Sequence, residues 1–78
     1  MSRKNDKDRI NEFDMVALVT DLPEAKLPAG QAGAVVLIHN DGEAFEVEFP
    51  IDLHHSVVAT VPREKLLKLH GLNYSKAG

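Results

Sequence analysis

The sequence predicts a small all-β domain of five short strands rolled into a barrel. Three observations carry that prediction. The chain has only 78 residues, so one domain is the most it can form. Its apolar residues fall in short runs bounded by proline, glycine and Asp-Gly punctuation, a length that suits strands. The clearest run, Phe45-Glu46-Val47-Glu48-Phe49, alternates apolar and acidic residues with the period of two that a half-buried strand requires.

Each element follows in order. Residues 1–12 read as a polar leader: residues 1–9 are charged and aperiodic, and such a segment cannot offset the entropy of ordering. Strand-like pattern begins at Phe13, with Met15-Val16-Ala17-Leu18-Val19-Thr20 as the first strand. Residues 21–31 hold Pro23, Pro28 and Gly30, which prevent a regular helix or a central strand. Leu22 and Leu27 lie inside that stretch, so it is expected to fold back and pin itself onto the barrel as an ordered loop. Gly30 and Gly33 suit a turn or bulge with positive φ followed by close backbone packing.

Gly33 opens the second strand, Ala34 to His39, and Asn40-Asp41-Gly42-Glu43 forms the hairpin turn after it. The third strand, Phe45 to Phe49, directs Phe45, Val47 and Phe49 inward and Glu46 and Glu48 outward, and Pro50 is expected to end it. Residues 51–55 connect to a fourth strand, Ser56 to Val61. Pro62 stops that strand and stands first in a single helical turn through Leu66. Leu66, Leu67 and Leu69 then supply a short fifth strand, and residues 71–78 form a polar tail. Five strands, a long pinned loop after the first and a one-turn helix before the last describe an SH3-like barrel over residues 13–70. The rival is an open α+β fold with a longer helix over 62–70.

Composition excludes several function classes. There is no cysteine, which removes disulfides, thiol catalysis and cysteine-ligated zinc. The longest apolar runs, Ala34 to Ile38 among them, are far below the about 20 residues of a membrane helix. No apolar segment behind the N-terminus reads as a signal peptide, and the expected location is the cytoplasm. Charge is unevenly placed. Residues 10–62 carry nine acidic residues against Lys26 alone, while residues 1–9 and 63–78 are mildly basic. An acidic body of this kind repels phosphate backbones and attracts cationic partners.

Asp14-x-Val16-Ala17-Leu18-Val19-Thr20-Asp21-Leu22-Pro23-Glu24, then Leu27-Pro28, Gly30, Gly33, Val35-Val36, Glu46-Val47-Glu48-Phe49, Thr60-Val61-Pro62 and Leu66 form an ordered set over residues 13–69. This set resembles the bacterial domain-of-unknown-function 4926 family and is similar, more loosely, to KOW-type and nitrile hydratase β-subunit barrels. The resemblance implies an SH3-like barrel, supplies no catalytic residues, and implies an accessory or antitoxin-type partner of another protein. The segment Ile51-Asp52-Leu53-His54-His55 departs from the family pattern.

No catalytic residue, metal site or cofactor is expected. His54 and His55, with Asp52 and His39, are the nearest approach to a metal set, but adjacent residues of an extended segment point to opposite sides. Asp21 and Glu24 form a carboxylate pair, yet so small a barrel offers no deep cleft to shift their pKa values, and Asp21 reads as a turn-forming side chain. Ser56 and Ser75 have no base in reach. A phosphate-cradling role for Gly30 and Gly33 fails because no helix follows and the surroundings are acidic.

Two surfaces remain. Glu43, Glu46 and Glu48, with Asp41, make an acidic stripe along the third strand; it is either a solvated face or a docking surface for a basic protein, shared with Asp21 and Glu24 of the loop. In the second strand, if Val36 and Ile38 face the core, Val35 and Leu37 face outward near Val58. That apolar pair marks either an interface or oligomer contact through strand 2 or ground covered by loop 21–31 or the terminal segment. The leading function is therefore a non-catalytic protein-binding module, an inhibitor- or antitoxin-like or accessory partner of a basic protein. A KOW-like nucleic-acid accessory is disfavoured, since only the chain ends are basic and Phe45 and Phe49 belong to the core. A structural subunit of an enzyme complex is the third reading.

Overall fold

The computed structural model describes residues 9–70. Five antiparallel strands form one sheet: β1 (Met15–Leu18), β2 (Ala32–His39), β3 (Ala44–Asp52), β4 (His55–Pro62) and β5 (Leu66–Lys68). Their order in the sheet is β4-β3-β2-β1-β5. The expected all-β, SH3-like path is present, with its ordered loop after β1 and a 3-10 turn, Arg63–Lys65, before β5. The ladder does not close: β4 and β5 remain its two edges.

Alternation in β3 builds the core. Phe45, Val47 and Phe49 are fully buried, and they meet Val16, Leu18, Val35, Val61 and Leu66 from the other strands. The loop after β1 is pinned as expected. Leu22 and Leu27 are both buried and bridge each other, with Leu22 N–H donating to the Leu27 carbonyl at 2.7 Å. Pro23–Ala25 makes one 3-10 turn between them, and Lys26 closes it in the left-handed region. Gly30, at φ +92°, turns the chain into β2.

Several boundaries differ from expectation for identifiable reasons. Pro50 does not end β3. The β2 pairing stops at Ala34–Glu48, so beyond Glu48 one side of β3 is a local edge, where a missing N–H costs nothing. Pro62 is extended, at φ −67° and ψ 150°, and precedes the 3-10 turn instead of opening it. The expected leader, 1–12, reaches into the domain: Ile10 is buried in the core, and Asn11 N–H donates to Asp14 Oδ2 at 2.7 Å. Residues 1–8 of that leader and the expected tail, 71–78, lie outside the described residues.

Val35 is the main correction. It is fully buried and faces Val47, so it contributes nothing to an outer surface. The cause is a bulge. Val35 pairs with Val47 but Leu37 pairs with Glu46, so Val36 is an extra residue and the in–out alternation resets across it. Leu37 faces outward as expected; Ile38 lies opposite Phe45. Strand β2 lies between β3 and β1, and β1 pairs it only from Ala32 to Ala34.

Candidate protein-docking face

The register sets the outer face of β2, β3 and β4 row by row. Leu37, Glu46 and Thr60 form one row; Ala34, Glu48 and Val58 form the next. Leu37 and Val58 are 48% and 56% exposed, so acidic and apolar side chains share this face.

Its carboxylates are held in place. Glu46 Oε2 accepts from Thr60 Oγ1 at 2.7 Å and lies 3.0 Å from His39 Nε2. His39 sits on a strand end diagonal to Glu46 across the β2–β3 hairpin, within reach for long side chains. The His39 and Thr60 hydrogen bonds, in that order, hold the Glu46 carboxyl below its ordinary value. Glu48 Oε2 accepts from Ser56 Oγ at 2.7 Å. Sequence reading identified both glutamates but missed their β4 and β2 partners. For His39 the Asp-Gly turn was the available signal, because the β2–β3 hairpin it closes sets which β2 residues lie near Glu46; Ser56 and Thr60 depend on the β3–β4 register.

The other expected contact residues are placed as follows. Glu43 is exposed at the end of β3's hairpin, its carbonyl accepting from Arg63 N–H at 2.9 Å. Asp21 serves the loop: its Oδ1 accepts from Ala29 N–H at 2.8 Å, the turn-forming role expected of it. Glu24 is exposed in the first turn of the 3-10 segment.

The histidines divide between two places. Asp52 Oδ1 accepts from His54 N–H at 2.8 Å and lies 2.9 Å from His55 Nδ1. Those bonds, the backbone one first, hold the Asp52 carboxyl below its ordinary value. This is an Asx-turn closing the β3–β4 hairpin, with Leu53 at its tip 94% exposed. His39 is engaged with Glu46 instead. Among the described residues no three His, Asp or Glu side chains are grouped to hold a metal ion. No helix among them is long and apolar enough to cross a membrane.

Comparison with curated proteins and with solved structures gives no match. One family profile does match, over residues 12–67, which spans β1 through β5 but for its last residue. The chain therefore belongs to the family described as Domain of unknown function (DUF4926).

Proposed function

We propose that the chain is a cytoplasmic, non-catalytic binding module that docks a basic protein on the outer face of β2, β3 and β4. Its role is that of an inhibitor-like, antitoxin-like or accessory partner. One observation carries the reading: from Pro28 to Pro62 there are five carboxylates, Asp41, Glu43, Glu46, Glu48 and Asp52, and no lysine or arginine. No lysine or arginine within that span offsets them. Hydroxyls and His39 already orient Glu46 and Glu48, which reduces the side-chain entropy lost on docking. Leu37 and Val58 add the apolar area that a protein interface uses beside its charges. Opposite charge then speeds encounter and rejects wrong partners.

The test is a pull-down with the tagged full chain, from nuclease-treated and untreated lysate, followed by binding of the purified partner to Glu46→Lys/Glu48→Lys. A basic protein should be held stoichiometrically in both samples, and the double variant should bind roughly tenfold or more weakly with an unchanged circular dichroism spectrum. Equal binding by a folded double variant would sink the electrostatic reading. Capture that disappears with nuclease would reassign the domain to nucleic acid.

A further inference from the structure

The sheet has two edges, and they are built differently. β5 is three residues long and ends in Lys68. β4 is eight residues long, has no Lys, Arg, Asp or Glu, and has a proline only at its last position. Short length, lysines, internal prolines and bulges are the devices that blunt a free edge. β5 uses the first two. From Ser56 to Pro62, β4 uses none, and its register with β3 is unbroken.

The register also says which backbone groups are free. Arg63 N–H donates to the Glu43 carbonyl, so Glu43–Arg63 is a hydrogen-bonded pair one step beyond Ala44–Pro62. Bonded and non-bonded pairs alternate in an antiparallel ladder. Phe45–Val61, Val47–Ala59 and Phe49–Val57 are then bonded pairs, and Glu46–Thr60, Glu48–Val58 and Pro50–Ser56 are not. Both prolines agree, since Pro50 and Pro62 fall in non-bonded pairs. Ser56, Val58 and Thr60 therefore direct their N–H and C=O groups away from β3. No backbone bond from another described segment reaches them.

We propose that this edge is a homodimer seam. β4 of a second copy pairs antiparallel with β4 about a two-fold axis at Val58, giving one continuous sheet of both copies. Val58 meets the second copy's Val58, and Ser56 meets the second copy's Thr60, each as a bonded pair on the outer face. Val57 meets the second copy's Ala59 on the inner face. Apolar thus meets apolar and hydroxyl meets hydroxyl with no side chain changing face.

Charge selects the second copy as occupant. The seam strand carries no Lys, Arg, Asp or Glu in a strongly acidic body, so its complement is an uncharged strand, and β4 is one. A basic strand would find no carboxylate on the edge: Glu46 and Glu48 lie one strand in, already bonded to Thr60 and Ser56. Self-pairing leaves the two Glu48 residues three strand spacings apart, about 14 Å. That exceeds the screening length of about 8 Å at physiological salt. The axis also keeps both acidic faces on the same side of the joined sheet.

The experiment is sedimentation of the full chain across a concentration series at physiological salt, with amide exchange read by NMR. The mass should rise to twice that of the monomer. Amides of Ser56, Val58 and Thr60 should become protected in step, while those of Val57, Ala59 and Val61 are protected throughout. Val58→Pro removes one seam donor and none of the β3 ladder, and Val58→Lys sets like charges opposite each other at the axis; each should stay folded and monomeric. A monomer at every concentration overturns the proposal. So does a dimer that survives either folded variant, or one that protects amides elsewhere and leaves these three exchanging.

Discussion

The backbone carbonyl of Glu48 lies 2.6 Å from the point at which a Cβ on Gly33 would sit. The Phe49 ring and a Val47 methyl are within 2.9 Å of the same point. Gly33 thus lets β2 cross close over β3, and the backbone oxygen among its neighbours cannot move aside as a side chain can. Gly33→Ala should destabilise the domain by about 1–3 kcal/mol or more, the range for overpacking a core. Urea denaturation of the two proteins checks it. An alanine variant as stable as the parent would show that the crossing is loose.

The loop after β1 should behave as part of the core. Leu22 is fully buried although it lies outside every strand. Leu22→Ala is expected to cost about 2–5 kcal/mol, as for a buried leucine in a strand. Asp21→Ala, which removes an exposed carboxylate–amide bond to Ala29, should cost only about 0.5–1.5 kcal/mol. Thermal melts separate the two, because about 1 kcal/mol moves the midpoint of so small a domain by roughly 4–8 °C.

Stability should decline in acid. Glu46 and Asp52 both have folded-state pKa values below their ordinary 4.5 and 3.8, because each carboxylate is hydrogen-bonded when ionised. A depressed carboxylate contributes its full stabilisation above its unfolded pKa and loses it as the pH falls through the folded value. The midpoint of urea unfolding should therefore drop as the pH is lowered below about 4.5, and Glu46→Gln should flatten the upper part of that drop. An unchanged pH profile in Glu46→Gln would mean that the His39 and Thr60 bonds do not persist in solution.

Much of the fold was legible because its rules are local. Alternation placed Phe45, Val47 and Phe49, and Asp-Gly placed the β2–β3 turn, where Asn40, Asp41 and Gly42 all have positive φ. Leu22 and Leu27, each set just before a proline, revealed a loop that must bury something. The misses depend on pairing between distant residues. The bulge at Val36 is a mismatch of β2 against β3, and no pattern within β2 alone announces it. Pro50 was misread because proline's effect depends on whether a neighbour strand reaches that far. Phe13, where strand-like pattern begins in the sequence, stands exposed in the left-handed region at φ 69° ahead of β1, its N–H donating to the Val35 carbonyl. The carboxylates of the outer face were legible individually, and their hydroxyl partners were not, since Ser56 and Thr60 reach them only through the β3–β4 register.

The Lys68 ammonium donates to the Arg9 carbonyl at 2.8 Å and lies 3.3 Å from Asp14 Oδ2. Arg9 and Lys68, near the two ends of the described span, are therefore neighbours, held by this side chain beside the β1–β5 pairing. Topologically it is nearly a ring. Residues 9 and 68 could be bridged by a short linker and the chain reopened at the Leu53–His54 turn with every strand retained. Set into a surface loop of a host protein, the same span would sit as a side-mounted cassette without forcing the host's own ends apart.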